Sequence, residues 1–148
     1  MSGITAVVQT SEIALTATTA RTVLQLLAPT NHRVKVLGWG VFFDGINTAA
    51  EPVQVRVLRQ TSAGTMTTVV ALSLAPISEV IQTLAYHSAS VEPTASDTLD
   101  VIECHPQQGY EVKFPMGQEI ILPGAGRLGI ECIAPASVNV RAKFFFEE

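Results

Sequence analysis

The sequence predicts an all-β protein built as an antiparallel β-sandwich, and three observations predict it. Val, Ile and Thr make up 42 of the 148 residues, and β-branched side chains suit a pleated sheet while losing rotamer freedom in a helix. They cluster in short runs separated by Gly, Pro, Asn, Asp and Ser, the punctuation of a many-stranded chain. Several runs alternate with a period of two. A sheet buried on one face produces that alternation, whereas a parallel βαβ sheet shows continuous apolar runs with helices between.

The predicted strands cover residues 4–10, 12–18, 21–27, 33–43, 53–60, 67–75, 98–104, 110–114, 118–122, 127–133 and 137–146. In the first two, Ile4, Val7, Val8, Ile13 and Leu15 are spaced by Thr, Ser and Ala, with no tight turn before Ser11. Residues 1–20 therefore read as an N-terminal arm or edge-strand segment, ahead of a sandwich of residues 21–148. The run Val34 to Phe43 is apolar on both faces, with Val34, Val36 and Phe42 on one and Leu37, Trp39, Val41 and Phe43 on the other. Such a strand is central and covered on both sides. In the next run Val53, Val55 and Val57 alternate with Gln54, Arg56 and Leu58, and Ser62-Ala63-Gly64-Thr65 follows as a hairpin loop.

Pro76 to Pro93 is the stretch with the weakest pattern. There Ser78 to Leu84 forms one or two helical turns capped by Ser78, or an irregular crossover. Pro123-Gly124-Ala125-Gly126-Arg127-Leu128-Gly129 reads as a hairpin turn whose glycines accept positive φ. In the last strand Val138, Val140, Ala142, Phe144 and Phe146 share one face, and Asn139, Arg141, Lys143 and Phe145 the other. The expected core contains Val36, Phe42, Val55, Val57, Ile130, Val140 and Phe144.

One domain accounts for the length. Hydrophobic residues reach 47% while charged residues are 15%, against about 25% in ordinary globular chains. The net charge of −4 argues against a nucleic-acid partner that needs a strong basic field. Apolar runs fall far short of the ~20 residues that cross a bilayer, and Met1-Ser2-Gly3-Ile4-Thr5 does not read as a secretory signal.

Catalytic chemistry finds little purchase. Cys104 and Cys132 share alternation faces with apolar neighbours and read as buried free thiols, a disulfide being the alternative. Cys104 and His105 are adjacent, so on a strand they point to opposite faces and make no thiol–imidazole pair. His32 and His87 read as solvated loop residues, and the H-x-H pair of a metal-binding cupin is missing from the sequence. Gly38-Trp39-Gly40 lacks the Lys-Ser/Thr that follows a phosphate-cradling loop. Glu147-Glu148 reads as a solvated pair rather than an acid/base dyad. The expectation is a protein that is not an enzyme, with no catalytic or metal residues and no cofactor.

Two segments carry a resemblance. Gly40-Val41-Phe42-Phe43-Asp44-Gly45, followed by Pro52 through Arg56-Val57-Leu58-Arg59 to Met66, is similar to small head proteins of tailed bacteriophages. So are Gly126-Arg127-Leu128-Gly129-Ile130-Glu131-Cys132 and Pro135-Ala136-Ser137-Val138-Asn139-Val140. The match runs from about Arg33 onward and lies in strand-and-turn pattern rather than in a catalytic signature. It implies a jelly roll on the outer surface of an icosahedral capsid, a decoration or cement protein that staples neighbouring major capsid subunits. It further implies a homotrimer or dimer, assembled in the host cytoplasm, and lends no active-site residues. Many short alternating strands fit a double-sheet jelly roll. A trimeric receptor- or glycan-binding module of a phage tail or fibre is the other reading, against which one Trp and two Tyr count.

Sparse charge points to a surface covered by protein partners. The expected interface residues are Ile4, Val7, Val8, Ile13 and Leu15 in the N-terminal segment, with Phe145 opposite the core face of the last strand. The expected partners are the major capsid protein and further copies of the chain, with neither nucleic acid nor membrane.

Overall fold

The computed structural model describes residues 3–44, 51–76 and 78–148; Gly45, part of the resemblance, lies outside them. Thirteen strands and no helix occur among the described residues. They are β1 (Thr5–Gln9), β2 (Ile13–Leu15), β3 (Arg21–Leu27), β4 (Val34–Asp44), β5 (Val53–Gln60), β6 (Thr65–Val69) and β7 (Leu72–Ser73), then β8 (Leu84–Val91), β9 (Ala95–Cys104), β10 (Tyr110–Lys113), β11 (Ile120–Leu122), β12 (Arg127–Ile133) and β13 (Val138–Glu147).

Two antiparallel sheets pack together as a β-sandwich. The first has the order β10-β4-β13-β1-β7, with β11 also on β4 and β2 also on β13; the second has the order β6-β8-β3-β12-β5-β9. Four of the pairings nest inside one another. They are β1 and β2 with β13, β3 with β12, β4 with β10 and β11, and β5 with β9, assigned alternately to the first and second sheets. Between β5 and β9 the chain adds a strap. β6 and β8 extend the second sheet beyond β3, while β7 extends the first beyond β1, so the strap crosses from one sheet to the other and back.

The interior matches the alternation of β5 and β13. Val53, Val55, Val57, Val140, Ala142, Phe144 and Phe146 are all buried. β4 departs from simple alternation, and its ladder shows why. Phe145 pairs with Gly38 and Phe146 with Val36, leaving Leu37 as an extra residue on the β4 side. That bulge shifts the strand's facing by one residue. Val34 and Val36 before it, and Trp39 and Val41 after it, therefore all enter one core. Phe42 does not join the core as its alternation with Val36 suggested. It lies on the outer face, 38% exposed.

The stretch 78–84 contains no helical turn, and the residues after it form strand β8. Two features hide that strand from a period-two reading. Ser88 has φ 58°, and the β6 ladder jumps from Thr65–Val91 to Thr67–His87. The pleat is thus interrupted in mid-strand.

A polar seam runs over the outside of the second sheet. The β3 ladder skips Val23, pairing Glu131 with Thr22 after Ile130 with Leu24. The Thr22 N–H donates instead to the Glu92 carboxylate (2.9 and 3.0 Å), and the Thr22 hydroxyl donates to the same group at 2.7 Å. Gln60 Nε2 donates to Thr22 Oγ1 (3.0 Å), and Gln25 Nε2 to Gln60 Oε1 (2.6 Å). Gln25, Gln60 and Thr22 are buried, so these bonds offset desolvated amides. The seam needs Gly129, where a Cβ would stand 2.5 Å from Gln60 Oε1 and 2.7 Å from Nε2. Gly129→Ala is therefore expected to cost about 2–3 kcal/mol, because the displaced Gln60 amide strands its buried partners. Urea midpoints of the single variant and of Gly129→Ala with Gln60→Ala check this, the pair losing less than the sum of its parts.

Cys104 and Cys132 are buried free thiols. Cys104 pairs with Val53 and Cys132 with Val55 on opposite sides of β5. Two strand spacings make about 9.5 Å, beyond the 4.4–6.8 Å that a disulfide spans. Burial pushes both thiol pKa values up, and Glu131 and then Cys104 add to the effect at Cys132. A folded pKa above the unfolded one means stability is full below about pH 9 and falls above it, by at most ~1.4 kcal/mol per pH unit per thiol. Urea unfolding at about pH 8 and about pH 10 should show this slope, reduced in Cys132→Val.

Candidate interaction surface

The outer face of the first sheet is built in rows that the register fixes. Leu72 of β7 pairs with Val7 of β1, Val7 with Phe145 of β13, Phe145 with Gly38 of β4, and Gly38 with Lys113 of β10. These five residues form one transverse row. In the row beside it Gln9, Lys143, Gly40 and Glu111 are partners in the same way.

Gly38 and Gly40 let side chains two strands apart meet over β4. Lys113 Nζ lies 4.6 Å from the Phe145 ring centre, and Lys143 Nζ lies 3.3 Å from Glu111 Oε1. Lys143 is also 4.9 Å from the Phe42 ring centre and 5.3 Å from that of Phe145. A Cβ at Gly38 would stand 2.5 Å from the Val112 carbonyl oxygen, so β10 could not approach as it does. These glycines serve close packing of strands.

At the end of the first row lies a groove of about 430 Å³, whose walls include Leu37, Leu74, Lys113, Phe114, Met116 and Phe145. The Leu37 bulge forms part of it, and the Phe114 N–H donates to the Leu37 carbonyl at 2.8 Å. That bond ties β4 to the turn Pro115–Gln118, closed by Gln118 N–H to the Pro115 carbonyl at 3.0 Å. Gly117 has φ +89°, the conformation a type II turn requires at its third position. Met116 stands at the tip, 96% exposed. The strap adds Leu72 in the first row and Leu74 in the groove wall, 65% and 58% exposed.

The structure divides the six expected interface residues. Val7 and Phe145 are cross-strand partners on the outer face. Ile4 is half-buried, exchanging main-chain hydrogen bonds with Glu148 (2.8 and 3.0 Å). Val8, Ile13 and Leu15 are core residues, 1%, 4% and 2% exposed, because β1 and β2 complete the first sheet along β13. They supply no surface of the folded chain. Leu72, Leu74 and Met116 were not legible as surface partners of Phe145, since strap and turn reach the face from distant parts of the chain.

Glu148 is more than a solvated terminus. Its carboxylate accepts the N–H groups of Gln82 (2.7 Å) and Thr83 (2.8 Å) and the Thr83 hydroxyl, fixing the strap just before β8 begins.

The histidines stand apart. His87 Nδ1 meets Ser88 Oγ at 2.8 Å, and His105 Nδ1 accepts the Gln107 N–H at 3.2 Å. Cys104 Sγ is 3.7 Å from the His105 carbonyl oxygen, a contact with main chain rather than imidazole. Among the described residues, no group of three or more His, Cys, Asp and Glu is placed to hold a metal ion.

The chain matches no family model, and neither a curated protein nor a solved structure matches it.

Proposed function

We propose that this chain is a structural head protein of tailed bacteriophages that decorates the capsid exterior and stabilises contacts between major capsid subunits. In this reading the sandwich is a jelly roll. The four nested pairings support it, because a long hairpin folded over and dealt alternately into two sheets is the jelly-roll order. The sequence resemblance of residues 40–45, 52–66, 126–132 and 135–140 supports it independently.

The observation that carries the functional reading is the exposed apolar surface of the strap, groove and turn. Leu72, Leu74 and Met116 are more than half exposed, the last two on one groove, on a chain with 15% charged residues. Contiguous apolar surface of this kind marks a protein contact. On a shell the same contact repeats many times, so modest single-site affinity suffices to brace the lattice. The partners in this reading are the major capsid protein and further copies of this chain. The protein acts on the virion exterior after assembly in the host cytoplasm, without catalysis, cofactor, nucleic acid or membrane.

The test is co-sedimentation of the purified chain with empty shells assembled from the cognate major capsid protein. Saturable binding at fixed stoichiometry, with decorated shells surviving heating that opens bare ones, is the expected result. Shells that sediment without the chain at micromolar concentrations would end the reading.

A further inference from the structure

We infer that the groove of the first sheet and the Met116 turn beside it form a self-complementary patch that docks a second copy of this chain about a two-fold axis. The patch pairs a cavity with a knob. The cavity of about 430 Å³ is walled by Leu37, Leu74, Phe114 and Phe145, with Met116 itself on the rim. The knob is Met116, 96% exposed, a flexible thioether suited to filling an irregular apolar gap.

The knob is held in place before any contact. Gly117 and the Pro115–Gln118 hydrogen bond fix the turn, and Phe114 anchors it to the Leu37 bulge. A Cβ at Gly117 would meet nothing within 4 Å, so the turn projects into open space. The turn's main chain is ordered before docking, so the ordering cost falls on the Met116 side chain alone.

Charge selects the occupant. The groove carries Lys113 and Glu119. Among the described residues Lys113 makes no ion pair within the chain and rests on Phe145, while Glu119 Oε2 accepts the Gly117 N–H at 2.7 Å on the Met116 turn. A two-fold contact brings residue i of one copy to residue j of the other and j to i. Met116 entering the partner's groove therefore carries Glu119 toward the lysine that lines that groove, twice over. Knob and groove lie side by side on one face, which suits a two-fold axis, the dimer rather than the homotrimer among the assemblies that the sequence resemblance implies. Self-association belongs to the function proposed above, but it is tested on the free protein, so its failure leaves shell binding standing.

The experiment is sedimentation equilibrium of the purified chain, expected to give a dimer. Met116→Asp should weaken it by at least about 30-fold, as the loss of a central anchor does, with an unchanged circular dichroism spectrum because Met116 is exposed. Lys113→Glu and Glu119→Lys should each weaken the dimer, and the two together should restore it. A wild-type monomer up to about 100 μM, weaker than the micromolar Kd expected of such a contact, would overturn the inference. So would a trimer, a dimer indifferent to Met116→Asp, or a double charge swap no better than its singles.

Discussion

A chain lacking residues 2–15 is expected not to fold. As an arm the segment would be dispensable to the sandwich, but β1 and β2 lie along β13, from Thr5 opposite Glu147 to Leu15 opposite Val138. Deleting them removes Ala6, Val8, Ile13 and Leu15 from the core and leaves the main chain of β13 unpaired on one side. Burial of the three large side chains alone contributes about 4.5–9 kcal/mol at 1.5–3 kcal/mol each. A domain of this size has only about 5–15 kcal/mol in total. Near-ultraviolet circular dichroism and the emission of Trp39, the single tryptophan and fully buried, report the outcome. A truncated chain that keeps both signals and unfolds cooperatively would show that β1 and β2 contribute little.

Legibility followed the regularity of the pleat. β5 alternates from Val53 to Val57 and β13 throughout, and the residues expected inside from them, Val55, Val57, Val140 and Phe144, are fully buried, although Leu58, expected outside, is buried too. Val36 and Ile130 are buried as well. Phe42 was misassigned because one extra residue at Leu37 shifts the facing of β4, and a bulge leaves no mark in a hydrophobicity pattern. β8 was missed for a related reason, the left-handed Ser88 in mid-strand. The outward placement of Phe145 was legible, since it lies opposite the core positions of a strictly alternating strand; that of Val7 was not separated from the inward placement of Val8. The burial of Val8, Ile13 and Leu15 was not legible, because it depends on pairing with residues more than 120 positions away. Gly38 and Gly40 fell inside the predicted strand 33–43 with no role there, until the register placed Lys113 and Glu111 across them. Glycine in a strand marks close approach as well as turning.

Phe144→Ala is expected to lower the unfolding free energy by about 3–5 kcal/mol, the range for truncating a buried phenylalanine. Phe144 sits on the strand that joins the two halves of the first sheet, with Trp39 of β4 opposite on one side and Val8 of β1 on the other. All three are essentially inaccessible, and a rigid, doubly paired sheet cannot collapse into the space left behind. The cost therefore includes both lost transfer energy and a persistent cavity. Its neighbour gives the control. Phe145 points outward, half-buried, over Gly38 and against the Lys113 ammonium. Phe145→Ala should cost only about 1 kcal/mol in the monomer, from partial burial and the solvent-exposed contacts with Lys113 and Lys143. Urea unfolding of dilute protein, with the slope unchanged and only the midpoint shifted, separates the two. Equal losses at 144 and 145 would mean that the last strand is not one-faced.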